Sequence, residues 1–96
     1  MPTYLSLCRW TQQGVQGIKD SPKRLDAAKK SFAKDGIKIL HFYMITGTHD
    51  LAIISEAPSE EAMAKAMLTT MSMGGITTQT SRAFTEDEYR NIIKSI

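Results

Sequence analysis

The sequence predicts an α+β fold: a four-stranded antiparallel sheet with its helices on one side. Three observations lead there. Runs rich in branched and aromatic residues alternate with two stretches of helical period. Two of those runs are joined by nothing longer than a tight turn around Gly47. Each helical stretch opens on a paired serine and proline and closes on glycine.

Thr3–Trp10 ("TYLSLCRW") alternates and is rich in aromatic and branched residues, which suits a first strand. "TQQGVQGIKD" holds two glycines without a sustained period and reads as a loop or short irregular helix. Ser21 then offers an N-cap and Pro22 fills the first helical position, where its missing N–H costs nothing. Leu25, Ala28 and Phe32 recur at helical spacing, with lysines opposite, until Gly36 stops the helix.

Residues 37–46 ("IKILHFYMIT") form a strand in which both alternating sets are apolar: Leu40, Phe42 and Met44 in one, Ile39, His41, Tyr43 and Ile45 in the other. Leu51–Glu56 is its hairpin partner. Pro58 and Ser59 open a second helix, with Glu60 and Glu61 near its positive end and Met63, Met67, Thr70 and Met71 on one face. Gly74–Gly75 ends it. Ile76–Phe84 ("ITTQTSRAF") is threonine-rich and strand-like. Thr85 with Glu88 makes a capping box, and Tyr89, Ile92, Ile93 and Ile96 mark a short last helix. The order is βαββαβ plus a final helix, the ferredoxin-like arrangement. Right-handed crossovers then give strand order 4-1-3-2.

Ninety-six residues make a single domain, residues 1–96. A chain of this size buries only roughly 60–65% of its unfolded surface, so it is marginal as a solitary monomer. Twelve basic against ten acidic residues leave a charge of +2, without the basic stripe of a nucleic-acid binder. The lone Cys8 forms no internal disulfide, which fits a reducing compartment. No apolar run follows a basic leader, and none approaches the ~20 residues of a membrane span. A cytoplasmic protein with neither membrane nor nucleic-acid partner is expected.

The doubled apolar strand sets the main expectation. Helices cover one side of such a sheet, so a strand apolar on both sides needs a second cover or exposes a larger patch than monomers tolerate. Self-association follows, as a two-fold homodimer or a multiple of dimers.

The link Thr46-Gly47-Thr48-His49 fits a type II′ turn, with glycine at the first central position. Ile45 then opposes Asp50 and Met44 opposes Leu51, and neighbouring His49 and Asp50 point to opposite sides. A three-residue turn would pair Thr46 with Asp50 and exchange the faces of the second hairpin strand. The more apolar set, Leu40, Phe42 and Met44, is expected under the helices with Leu5 and Leu7. Tyr4, Ser6, Cys8 and Trp10 then join His41, Tyr43 and Asp50 on the other face. Polar groups among aromatics suit a small-molecule pocket and a subunit interface equally. Tyr4, Trp10, His41, Tyr43, His49, Asp50 and Arg82 are the candidate ligand-binding residues.

The segments "YLSLCRWTQQGVQGIKDSPKR", "TGTHDLAIISEAP" and "GGITTQTSRAFTEDEY" together resemble the GYD family, small bacterial and archaeal proteins named for a Gly/Tyr/Asp motif. The resemblance implies a ferredoxin-like fold similar in shape to the dimeric α+β barrel proteins, self-associating through the sheet face. It implies little about activity. Gly47 and Asp50 match the signature, while His49 falls where the family usually has tyrosine. Histidine titrates near neutral pH and tyrosine does not, so a role that needs a phenol would change here.

The remaining chemistry is thin. Cys8, His41 and His49 lack the local spacing of zinc ligands. Cys8 lacks a base or helix N-terminus to make it a thiolate nucleophile. His41 with Tyr43 could serve as acid and base, though a buried polar group also simply needs a partner. Asp50 could orient a ligand or satisfy turn amides. Lys19, Asp20, Lys23 and Arg24 flank a helix start where an anion could bind, yet read better as a solvated face. Arg82 could meet a carboxylate across a subunit boundary. "GVQG" and "GG" are too isolated to be phosphate loops, and no cofactor is called for. The leading reading is a small-molecule-binding or regulatory module with its pocket between sheet and partner. The alternatives are a cofactor-free monooxygenase or isomerase of the dimeric α+β barrel type, and a purely structural assembly unit.

Overall fold

The computed structural model describes residues 1–96. Strand β1 (Thr3–Trp10) leads into the short helix α1 (Gln12–Gln16), a 3₁₀ turn (Ile18–Asp20) and helix α2 (Ser21–Lys34). The hairpin of β2 (Lys38–Met44) and β3 (Leu51–Glu56) follows, then α3 (Glu60–Ser72), β4 (Ile76–Ala83) and α4 (Glu86–Lys94). All pairings are antiparallel and the sheet order is β2-β3-β1-β4, the expected 4-1-3-2 read from the other edge.

Local chemistry explains most boundaries. Gly36 ends α2 at a φ of 76°, in the left-handed region that glycine enters freely. The Ser59 hydroxyl caps α3 by accepting from the Ala62 N–H at 3.1 Å. Ser21 does not cap α2 as expected. The 3₁₀ turn runs straight into the helix, Asp20 takes the cap position without a side-chain bond, and Ser21 becomes the first helical residue. The stretch expected as loop or irregular helix is α1, capped by Thr11. Its "GVQG" and the later "GG" meet each other. Thr11 donates its N–H to the Gly75 carbonyl at 3.1 Å, and a Cβ on Gly14 would stand 2.0 Å from that same oxygen. Only glycine allows this approach.

The core lies between the sheet and helices α2 and α3, where Tyr4, Phe32, Ile37, Ala57, Met63 and Ala66 cluster. Phe42 and Met44 face this side as expected, through their partners Ile53 and Leu51. The first strand is reversed from the expectation. Tyr4, Ser6 and Cys8 are buried beneath the helices, with Trp10 in the same phase, while Leu5 and Leu7 lie half-buried on the uncovered face. The reason is shape rather than polarity. The Tyr4 ring fills the wide space among Phe32, Met63 and Ala66, whereas small Ser6 lets the Met67 sulfur come within 3.9 Å of its hydroxyl.

A second departure lies in β2, where the register slips between Ile39 and His41 so that Leu40 is an extra residue. This bulge brings Ile39 onto the core side, opposite Ser55, rather than alongside His41.

Candidate functional site

The uncovered sheet face is apolar at its centre. Antiparallel pairing sets Leu5 against Ile54 and Leu7 against Ala52 on the two central strands. His41 and Tyr43 flank them from β2, opposite Ile54 and Ala52, and Gln79 and Ser81 flank them from β4. The His41 and Tyr43 rings stack at 6.2 Å between centroids and 10° between planes, as same-face neighbours two residues apart can. Tyr43 is 58% exposed. The doubled apolar strands are therefore β1 and β3 in the middle of the sheet, as well as β2 at its edge.

The hairpin has the two-residue turn register: Met44 opposes Leu51, Tyr43 opposes Ala52, and the Ile45 N–H donates to the Asp50 carbonyl at 2.8 Å. Gly47 supplies the positive φ, 130°, at the turn's first central position. His49 and Asp50 form no dyad. The His49 Nδ1 is 3.2 Å from the Thr48 hydroxyl, and Asp50 Oδ2 accepts the Trp10 N–H at 3.0 Å. Asp50 thus ties the end of β1 to the hairpin. Arg9 reinforces the tie by donating from Nε to the Thr48 carbonyl at 2.6 Å. A recess of about 250 Å³ opens beside this turn, bordered by Leu7, Arg9, His49, Thr77 and Gln79.

On the opposite side of the sheet a groove of about 460 Å³ runs between α3 and β4. Met63, Met67, Leu68 and Met71 form its helical wall, and Tyr4, Thr78, Thr80 and Arg82 line its sheet side. Ser6 and Thr80 share a hydrogen bond of 2.8 Å, while the buried Tyr4 hydroxyl has no partner. The methionine stripe is legible at helical spacing, where it resembles ordinary core. Of its members, Met63 is buried, whereas Leu68 beside it is 65% exposed.

The seven candidate ligand-binding residues do not converge. His41 and Tyr43 face the open side, Tyr4, Trp10 and Arg82 are in phase with the helix side, and His49 and Asp50 stand at the turn. Arg82 is engaged within its own chain. Its guanidinium donates to the carbonyls of Thr3 and Ala83 and to Glu88 Oε2 at 3.0 Å, and lies 4.5 Å over the Phe84 ring. Arg24 likewise donates to the Gly17 carbonyl at 2.9 Å, bracing the α1 turn. Cys8 and His41 occupy opposite faces. Burial pushes the Cys8 thiol up to about 11, which keeps it protonated and unreactive at neutral pH. No group of three or more His, Cys, Asp or Glu side chains is placed to hold a metal ion, and no helix is long and apolar enough to cross a membrane.

This fold is shared with the crystal structure of TTHA0845 from Thermus thermophilus, at a TM-score of 0.56 and 22% identity over 88% of this chain and 95% of that one. An α+β sheet of ferredoxin-like topology, closed by helices on one side only, is thus the class of protein in hand. The GYD domain model matches residues 4–93, and the chain belongs to the GYD domain family. It is also similar to the glutamine synthetase and cystathionine beta-lyase binding protein of Thermus thermophilus, 29% identical over 84 residues that cover 86% of this chain and 88% of that one.

Proposed function

We propose that this chain is a non-catalytic binding module that pairs with a second copy through the open sheet face and, so assembled, docks on a metabolic enzyme. The observation that carries this reading is the uncovered centre of the sheet, where Leu5, Leu7, Ala52 and Ile54 lie together on the two inner strands. Water is a poor solvent for such a surface, and a copy of the same face is a self-complementary cover. The likeness to a protein named for binding glutamine synthetase and cystathionine beta-lyase supports an enzyme as the further partner. The stacked His41 and Tyr43 border the same face, so they would line any small-molecule space enclosed between two sheets.

The test joins light scattering to binding. Wild-type protein elutes as a dimer or a multiple of dimers, and Leu7→Lys weakens self-association by about a hundredfold because it buries an unpaired charge at the centre of the contact. Purified glutamine synthetase and cystathionine beta-lyase, titrated against each form, bind the wild type and lose affinity for the variant. A wild type that stays monomeric at millimolar concentration rejects sheet pairing. Absence of binding to either enzyme rejects the docking role.

A further inference from the structure

Helix α4 packs little on the body, which it meets chiefly through the Arg82–Glu88 pair. No strand or helix of the chain makes an extensive contact with α4, and the radius of gyration is 14.4 Å where a compact chain of this length has about 12.5 Å. Yet α4 is amphipathic. Tyr89, Ile92 and Ile93 recur at i, i+3 and i+4 along it, Ile96 follows at i+7 just past its end, and all four are exposed, Ile96 to 95%. A nine-residue helix is marginal alone in water and needs its apolar stripe covered.

The same chain carries an unfilled groove between α3 and β4. Its methionine wall from Met63 to Met71 runs about 12 Å along α3, and the stripe from Tyr89 to Ile96 runs about 10 Å. Methionine side chains adapt to an inserted helix face, and the helix-in-groove mode uses this i, i+3, i+4, i+7 spacing. The helix cannot turn back into its own groove without breaking the contacts that aim it outward. Arg82 bonds Glu88, the guanidinium covers Phe84, and the Thr85–Glu88 capping box fixes the first turn.

From this we infer that α4 of one copy seats its Tyr89/Ile92/Ile93/Ile96 stripe in the α3–β4 groove of a second copy. The area of the sheet face points the same way. A four-stranded face is roughly 19 Å wide and 20–25 Å long, on the order of 380–480 Å². That is only about half of the ~800 Å² per partner that stable complexes bury. An exchanged helix supplies a second contact. The inference adds to sheet pairing and is separable from it.

Two single-cysteine additions test it. Leu68 and Ile93 are both exposed, and buried Cys8 stays inert, so Leu68→Cys and Ile93→Cys leave the core untouched. The two variant proteins are mixed, given time to exchange subunits, and oxidised with copper–phenanthroline. A mixed disulfide in a large share of the chains, approaching the half that random exchange of equal amounts allows, with little disulfide when either variant is oxidised alone, is the expected result. No mixed disulfide overturns the inference, as does an intramolecular bond in the Leu68→Cys/Ile93→Cys double variant diluted to a monomer. As a second measurement, Ile93→Asp weakens association at least tenfold while its far-ultraviolet circular dichroism remains that of the wild type. Unchanged association overturns α4 exchange yet leaves sheet pairing standing.

Discussion

Asp50 accepts the Trp10 N–H from across the sheet, 40 residues earlier in the chain. Removing it strands a backbone donor at the end of β1. Asp50→Ala should therefore lower unfolding free energy by about 1–3 kcal/mol in urea titrations followed by Trp10 fluorescence, and Asp50→Asn, which keeps an acceptor oxygen, by less. Residue-scale legibility was uneven for this reason. The sequence marked Asp50 as a polar group beside a tight turn, and it ruled out the His49–Asp50 dyad through strand alternation. It could not say which amide the carboxylate would find, because that amide is local in space and remote in sequence. Arg82 had the same fate: its nearest carboxylate is six residues along its own chain.

Short-range signals carried the elements well. The Thr85–Glu88 capping box spans four residues, and both of its hydrogen bonds form. The Thr85 backbone N–H, and after it the Arg82 guanidinium, hold the Glu88 carboxyl below its ordinary value near 4.5. The folded state thus prefers the ionised form. Its stabilisation of α4 is complete above the ordinary glutamate value and is lost as pH falls through the lower, folded one. Acid titration by far-ultraviolet circular dichroism should show α4 fraying at a pH below 4.5, and Glu88→Gln should remove that transition. Strand faces were harder. Alternation divided β1 into two sets without saying which one meets the helices, and the leucines were the wrong choice because a tyrosine ring fits the space beside Phe32 and Met63. The bulge at Leu40 left no local trace, since every residue around it is a competent strand former.

At the scale of the whole molecule, the order of elements and the strand order followed from segment lengths and handedness alone. The doubled apolar strand announced an uncovered sheet face; what remained hidden was that α4 would be left uncovered as well, because covering elements are a property of packing. Under the proposed sheet pairing, a chain with so much uncovered surface would draw part of its stability from association. A hundredfold dilution should lower Tm by roughly 5–10 °C in calorimetry, whereas a Tm independent of concentration would show that the lone chain is sufficient. The extra residue at Leu40 bears on how copies could meet. It kinks the β2 edge, so the outer row of N–H and C=O groups on that side offers no straight template to another strand. Sideways addition at that edge, a route to open-ended fibrils, is thereby disfavoured.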